Sequence, residues 1–239
     1  MLRVALSDAE RMDLVPRNVA KSAKPPGLSR SERRALTPDK AKALLSAIVG
    51  DRLEPLFVLA LATGLRRGEL LGLRWSDVDI DEKVPFVRQA LQRVNGQLTV
   101  VAPKTHRSAR PLPLSKLATR AVQQQKAKQA KERLAAGTLW HDNGLVLSNT
   151  IGTPQEPRNV NRRFDELRKR VDLDWLRLHD LRHAFATFLL DQGEELRTVM
   201  ELLGHSTIRL TADTYGHVLP KRARDAAEAI DKLLGEESA

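Results

Sequence analysis

The feature that most limits what this chain can fold into is a change of hydrophobic period partway along it. From Thr37 to Trp75 apolar residues recur at helical spacing, first as Ala41, Leu44, Leu45 and Ile48. Two further helices are expected over Glu54–Ala62 and Arg66–Trp75, with Thr63-Gly64 breaking the chain between them. From Val84 to Leu114 the pattern becomes that of strands, carried by Val84, Phe86, Val94, Leu98, Val100 and Val101. Asn95-Gly96 is a strong two-residue hairpin signal, and Pro103 to Arg110 makes a second, basic turn before Leu112 and Leu114. Helical patterns then return, from a long polar helix capped by Ser115 and ending near Ala136 to segments around Val160–Val171, His179–Gln192, Leu196–Leu203, Thr207–Tyr215 and Lys221–Leu234. The fold class that follows is α+β, mainly α-helical, with a small three-stranded antiparallel sheet.

The main domain is expected to begin near Thr37-Pro38-Asp39, which supplies an N-cap, a proline for the first helical position and an acid near the positive helix end. Before it, Met1 to Val15 reads as a short amphipathic helix with Leu2, Leu6 and Leu14, followed by a basic linker containing Pro16, Pro25, Pro26 and Gly27. An isolated helix of that length is marginal in water, so it reads as the tail of another domain or as a docking arm.

Composition narrows the function classes. Aromatics make up 4% of the 239 residues, so the core must be built mainly from Leu, Val, Ala and Ile. There are no cysteines, which excludes disulfides and thiolate metal sites and suits a reducing cytoplasm. No apolar run approaches the ~18 residues of a membrane span. Lys and Arg total 40 against 30 acids, a formal net charge of +10, and such a field attracts polyanions. Nucleic acid is the leading candidate, and ribosomal, membrane-surface and heparin binders share such a charge balance.

Four segments carry candidate chemistry. In Ala62-Thr-Gly-Leu-Arg-Arg-Gly-Glu, Gly64 allows a tight entry into a helix and Arg66 stands where a guanidinium could fork onto phosphate oxygens. Arg66 and Glu69 are three apart, and for this segment taken alone a local ion pair is the better reading. In Leu178-His-Asp-Leu-Arg-His-Ala-Phe, His179, Arg182, His183 and Ala186 share one helical face, opposite Leu181, Phe185 and Phe188. A solvated face is the plain alternative. A metal site is disfavoured, because Asp180 stands where a zinc-protease motif has Glu and Arg182 would repel a cation. Asp77, Asp79 and Asp81 mimic the start of a calcium loop, but Glu82 and Arg88 occupy the positions that need Gly and Glu, so they read as a turn of solvated acids. Leu202-Leu-Gly-His places His205 at a helix end, and Tyr215 is the only tyrosine. No phosphate-binding GxxxxGK[ST] loop is present, so nothing suggests ATP.

Taken in series, Thr-Gly-Leu-Arg, a basic-turn lysine, His-x-x-Arg, Leu-Gly-His and Tyr-x-His resemble the tyrosine recombinase (phage integrase) family, over about Leu36 to Leu219. The resemblance implies catalytic roles for Arg66, Lys104, His179, Arg182, His205 and Tyr215, with Glu69 in support and neither metal nor cofactor. It implies residues 36–239 as the catalytic domain and residues 1–35 as the last helix and linker of a core-binding domain. It implies cleavage and rejoining of duplex DNA through a 3′-phosphotyrosyl link, and a homotetramer on DNA that is a monomer in free solution. Accessory DNA-bending factors and a cytoplasmic, nucleoid-associated location in a bacterium accompany that reading. The basic helices Lys126–Arg133 and Arg158–Arg170 are expected to track the DNA backbone. Ala226, Ala227, Ile230, Leu233 and Leu234 form a stripe that docks either on a neighbouring protomer or on the chain's own core. The alternatives are a type IB topoisomerase-like nicking and resealing enzyme and an inactive DNA-binding regulator.

Overall fold

The computed structural model describes residues 2–24, 34–79, 82–102 and 109–205, and the chain divides into two compact units, 1–34 and 35–239. Among the described residues no helix is long and apolar enough to cross a membrane. The first unit holds helix α1, Leu2–Arg11, which buries none of its own residues. What organises it is Asn18, 4% exposed, whose Nδ2 donates to the Arg3 carbonyl and to Ser7 Oγ, both at 2.8 Å, while its Oδ1 accepts from Ala20 N–H. A buried amide satisfied on both sides replaces the apolar core that so short a segment lacks.

The second unit is built around a helix that is apolar on every side. Helix α2, Pro38–Ala47, starts where Thr37 accepts a capping hydrogen bond from Lys40 N–H. Helix α3, Glu54–Thr63, buries every residue from Pro55 to Leu61 and also Thr63, as expected of a helix surrounded by protein. It packs against α5, Lys116–Ala136, and α7, Asp180–Asp191. Helix α5 begins at its Ser115 cap, and its inner face carries Ala118, Ala121, Val122, Gln125 and Gln129. The two glutamines tie the turn at 145–148 to the helix: Gln125 Nε2 donates to the Val146 carbonyl and Gln129 Nε2 to that of Leu145, each at 2.9 Å. Helix α6, Pro157–Lys169, contributes Val160, Phe164 and Leu167, with Phe164 tilted against Phe57 at 5.3 Å. Leucine dominates the buried set, in keeping with the scarcity of aromatics.

The β segment departs from expectation. Among the described residues its strands form two assemblies rather than one. Strands β1 (Val78–Asp79), β2 (Val84–Val87) and β5 (Arg110–Pro111) make a three-stranded antiparallel sheet in the order β1-β2-β5. Strands β3 (Ala90–Val94) and β4 (Gln97–Val101) pair only with each other. Their turn is Asn95-Gly96 with φ of 48° and 79°, the left-handed pair that this dipeptide favours. Beyond Leu91 the hairpin has no fully buried residue, and Leu98 and Val101 are half-buried.

Helix α4, Arg67–Gly72, is shorter than the periodicity suggested, and a 3₁₀ turn at Trp75–Asp77 follows it. Asp77 is paired with Arg88 at 3.1 Å rather than solvated. The basic helices are also less open than their composition implied. Lys128 donates to the Arg52 carbonyl, Arg133 faces Asp142, Arg163 pairs with Asp51 and Glu166, and Arg168 pairs with Asp165. Acids one helical turn away and across the α3 entry claim charges that sequence reading left for a polyanion. Arg158 and Arg162 remain exposed. The expected helices over Thr207–Tyr215 and Lys221–Leu234 lie outside the described residues.

One glycine decides how α3, α7 and α8 (Leu196–Leu203) meet. Gly64 ends α3 in the left-handed conformation, φ 63°, and a Cβ there would lie 2.4 Å from Phe185 Cδ1 and 3.0 Å from Leu203 Cδ2. Gly50 has a similar positive φ with open space around it. Gly50→Ala should therefore cost about 1–2 kcal/mol, the backbone share, and Gly64→Ala should exceed it by about 1–3 kcal/mol for the clash. Urea unfolding of both variants checks this, and equal costs would remove the packing role assigned to Gly64.

Candidate active site

Three arginines converge on one helix end. The last carbonyls of α8 have no intrahelical partner and carry the negative end of the helix dipole. Arg110 Nε donates to the Leu202 carbonyl at 2.7 Å, Arg182 Nη2 to that of Leu203 at 2.7 Å and Arg66 Nη2 to that of Gly204 at 3.3 Å. Gly204 closes the helix with φ 63°, and His205 N–H returns to the Met200 carbonyl, which fixes the backbone of His205 to the helix it follows. A side chain at Gly204 would collide with Arg110, 2.5 Å from Nη1.

Glu69 joins two of the three. It is 6% exposed, and its Oε2 accepts from the Arg66 backbone N–H at 2.9 Å and from Arg110 Nη2 at 3.2 Å. Its Oε1 accepts from Arg66 Nη1 at 2.7 Å. The local ion pair that the sequence allowed is thus present, inside a larger network. Burial alone would raise the Glu69 carboxyl, but Arg110, the Arg66 amide and the Arg66 charge together hold it below the usual carboxylate range.

Of the two readings of the face with His179 and Arg182, the solvated one does not hold for Arg182, which is 4% exposed and also donates Nη1 to the Gly64 carbonyl at 2.6 Å. Ala186, on the same face, is fully buried. Gly64 and the α8 end leave carbonyls that only a long cationic donor reaches, and Arg182 fills that need.

His179 sits at the start of α7 on the wall of an open cleft of about 1160 Å³, with Arg66, Arg67, Glu69, Arg158, Arg177 and Gly204 among its lining. Its ring packs edge-on to His183 at 5.1 Å. Its surface is open to solvent on the cleft side, yet the protein crowded around the rest of the ring lowers its pKa. Arg182, Arg66 and Arg67 lower it further, and Asp180 opposes them. Burial and the charges of Arg182, Arg66, Arg110 and His183 bring His205 down to about 4. Both imidazoles are therefore neutral at pH 7. Each binds a proton less readily folded than unfolded, so acid weakens the fold, for His205 over the window from about 6.5 down to about 4.

The structure thus brings Arg66, Glu69, His179, Arg182 and His205 together, while Lys104 and Tyr215 lie outside the described residues. Sequence reading gave Arg110 no role. The signal was there: Arg110, Leu112 and Leu114 alternate with Pro111 and Pro113 at the two-residue period of a strand, and the first two are buried while both prolines are exposed.

The Phage integrase family matches residues 34–222. The tyrosine recombinase XerC-like protein of Caldanaerobacter subterraneus subsp. tengcongensis is 32% identical over 220 residues, 85% of this chain and 55% of that protein. The ICEBs1 integrase of Bacillus subtilis is 30% identical over 224 residues, 93% of this chain and 61% of that one. The chain therefore spans only about three-fifths of the length of these relatives. In fold it is similar to the Tn1549 transposon integrase solved in complex with transposon right-end DNA, with a TM-score of 0.77 at 24% identity over 95% of this chain and 76% of that one. By family match and by fold, this chain belongs to the phage integrase family and carries a tyrosine recombinase catalytic domain.

Proposed function

We propose that the chain is a site-specific recombinase that cleaves and rejoins duplex DNA through a 3′-phosphotyrosyl intermediate on Tyr215. The observation that carries this is the single cleft joining Arg66 and a neutral His179, backed by Arg182, Glu69 and His205. Residues 36–239 serve as the catalytic domain and residues 1–35 as the end of a core-binding domain. The Tn1549 integrase was solved with DNA, and the lambda integrase as a dimer on its core site. By analogy the partner here is double-stranded DNA and the working assembly a homotetramer formed on it.

The chemistry follows from the charges. A phosphodiester under attack gathers negative charge on its two non-bridging oxygens, and guanidiniums stabilise that charge without a metal ion. A phenol is unreactive while protonated, so a neutral His179 accepts its proton as the oxygen attacks phosphorus. The 5′-oxygen leaves with a proton from Lys104. His205 orients a non-bridging oxygen or the tyrosine. The phosphotyrosyl bond conserves the energy of the broken linkage, so rejoining needs no nucleotide.

The defining test incubates the chain with a pool of nicked duplexes of randomised sequence and recovers covalent adducts under denaturing conditions. Wild type should yield adducts and Tyr215→Phe none. An adduct in the Phe variant would make another residue the nucleophile, and none in wild type would favour a binding role for the family fold here.

The two arginines should part company. Arg66 is partly open to the cleft, so Arg66→Ala should keep DNA affinity within roughly tenfold and lose most cleavage. Arg182→Ala should lose cleavage and also at least ~2 kcal/mol of stability, because two buried carbonyls lose charged donors. Equal stability of the two variants would contradict the burial argument.

A proton-accepting His179 sets the acid limit of the reaction. With its pKa lowered, the acid limb of single-turnover cleavage should have its midpoint below pH 6.5, the ordinary value of an imidazole. In His179→Gln that acid limb should vanish from a slower reaction. An unchanged limb in the Gln variant would assign the titration elsewhere.

A further inference from the structure

Arg110 is 6% exposed, and it does not line the cleft. A guanidinium so enclosed is stable only where its hydrogen bonds and charge are met. Arg110 meets them by bridging two parts of the site: Nη2 reaches Glu69 at 3.2 Å and Nε reaches the Leu202 carbonyl at 2.7 Å. Gly204 leaves the space the guanidinium occupies. Glu69 in turn holds both the side chain and the backbone of Arg66. Arg110 therefore touches the support of Arg66 on one side and the turn leading to His205 on the other.

We propose that Arg110 is a positioning residue of the strand-transfer centre, holding Glu69 and the end of α8 so that Arg66 and His205 keep their places at the cleft. The inference rests on the strand-transfer reading above. Its electrostatic logic is specific. Glu69 divides its charge between two guanidiniums, so Arg66 is anchored without being neutralised and keeps a positive field for a phosphate. Without Arg110 the carboxylate answers to Arg66 alone, the Leu202 carbonyl loses its donor and the turn before His205 is free to shift. Displacement of such a group by about 1 Å costs on the order of a hundredfold in rate.

The test is a double-substitution cycle in the full chain with Arg110→Gln and Glu69→Gln, read in two ways. Single-turnover cleavage of nicked duplexes recovered from the randomised pool should fall at least roughly tenfold in Arg110→Gln at saturating DNA, with the dissociation constant little changed. The double variant should be no slower than the worse single one, because both act through one link. The midpoint of urea unfolding should be non-additive in the same sense. Should Arg110→Gln not fold, Arg110→Lys, which keeps the buried charge, goes through the same cycle. Additive losses in either readout, or a wild-type rate at saturating DNA, overturn the proposal. A wild-type chain that forms no adduct overturns the strand-transfer reading instead, and the unfolding cycle then decides the Arg110–Glu69 link by itself.

Discussion

The end of helix α8 presents three consecutive carbonyls, and each is taken by a different arginine from a different part of the chain. Arg110 comes from β5, Arg182 from α7 and Arg66 from the entry to α4. Unmet carbonyls at a buried helix end cost stability, and the dipole makes them good partners for cations. Guanidiniums enclosed in protein are equally unstable without such partners. Each side thus removes the penalty of the other. The result joins segments about 140 residues apart in sequence at one point, as with Arg66 and Gly204.

That junction also sets the electrostatics of the cleft. Two imidazoles stand beside it; burial first, and then positive charges that include the pinned Arg66 and Arg182, lower the pKa of both. A site assembled from solvated arginines would have neither the fixed geometry nor so strong an effect, because water would screen the charges. Glu69 limits the repulsion by giving Arg66 and Arg110 a shared counter-charge. The arrangement resists collapse of the three cations away from each other while keeping the field positive.

Much of this scaffold was legible in the sequence where local chemistry decides structure. The Thr37 and Ser115 caps, the Asn95-Gly96 turn and the bounds of Leu196–Leu203 follow from residues a few positions apart. What was not legible is what depends on distant partners. The sequence left open whether the face of Arg182 was solvated or functional. The burial of Arg182 depends on the Gly64 and Leu203 carbonyls, which no local pattern reveals. The split of the sheet failed for the same reason: Val78–Asp79, a partner of β2, lies outside the run that looked like strands. Arg110 was legible in principle from its alternation with Leu112, but a charged residue in a basic turn is easily taken for surface.

The charge balance explains why an acid belongs in a site meant for phosphate. Three guanidiniums and one carboxylate leave the junction with two net positive charges while both histidines stay neutral. A phosphodiester brings one negative charge, and its five-coordinate transition state approaches two. A site matched to the ground state would bind DNA and gain nothing in rate, whereas one matched to the later charge favours the transition state. Without Glu69 the excess would fall on the ground-state phosphate as well, raising affinity more than rate, and Arg66 and Arg110 would lose the group that holds both. On the strand-transfer reading, the carboxylate is therefore what converts a cationic anchor for a helix end into a site tuned to a reacting phosphate.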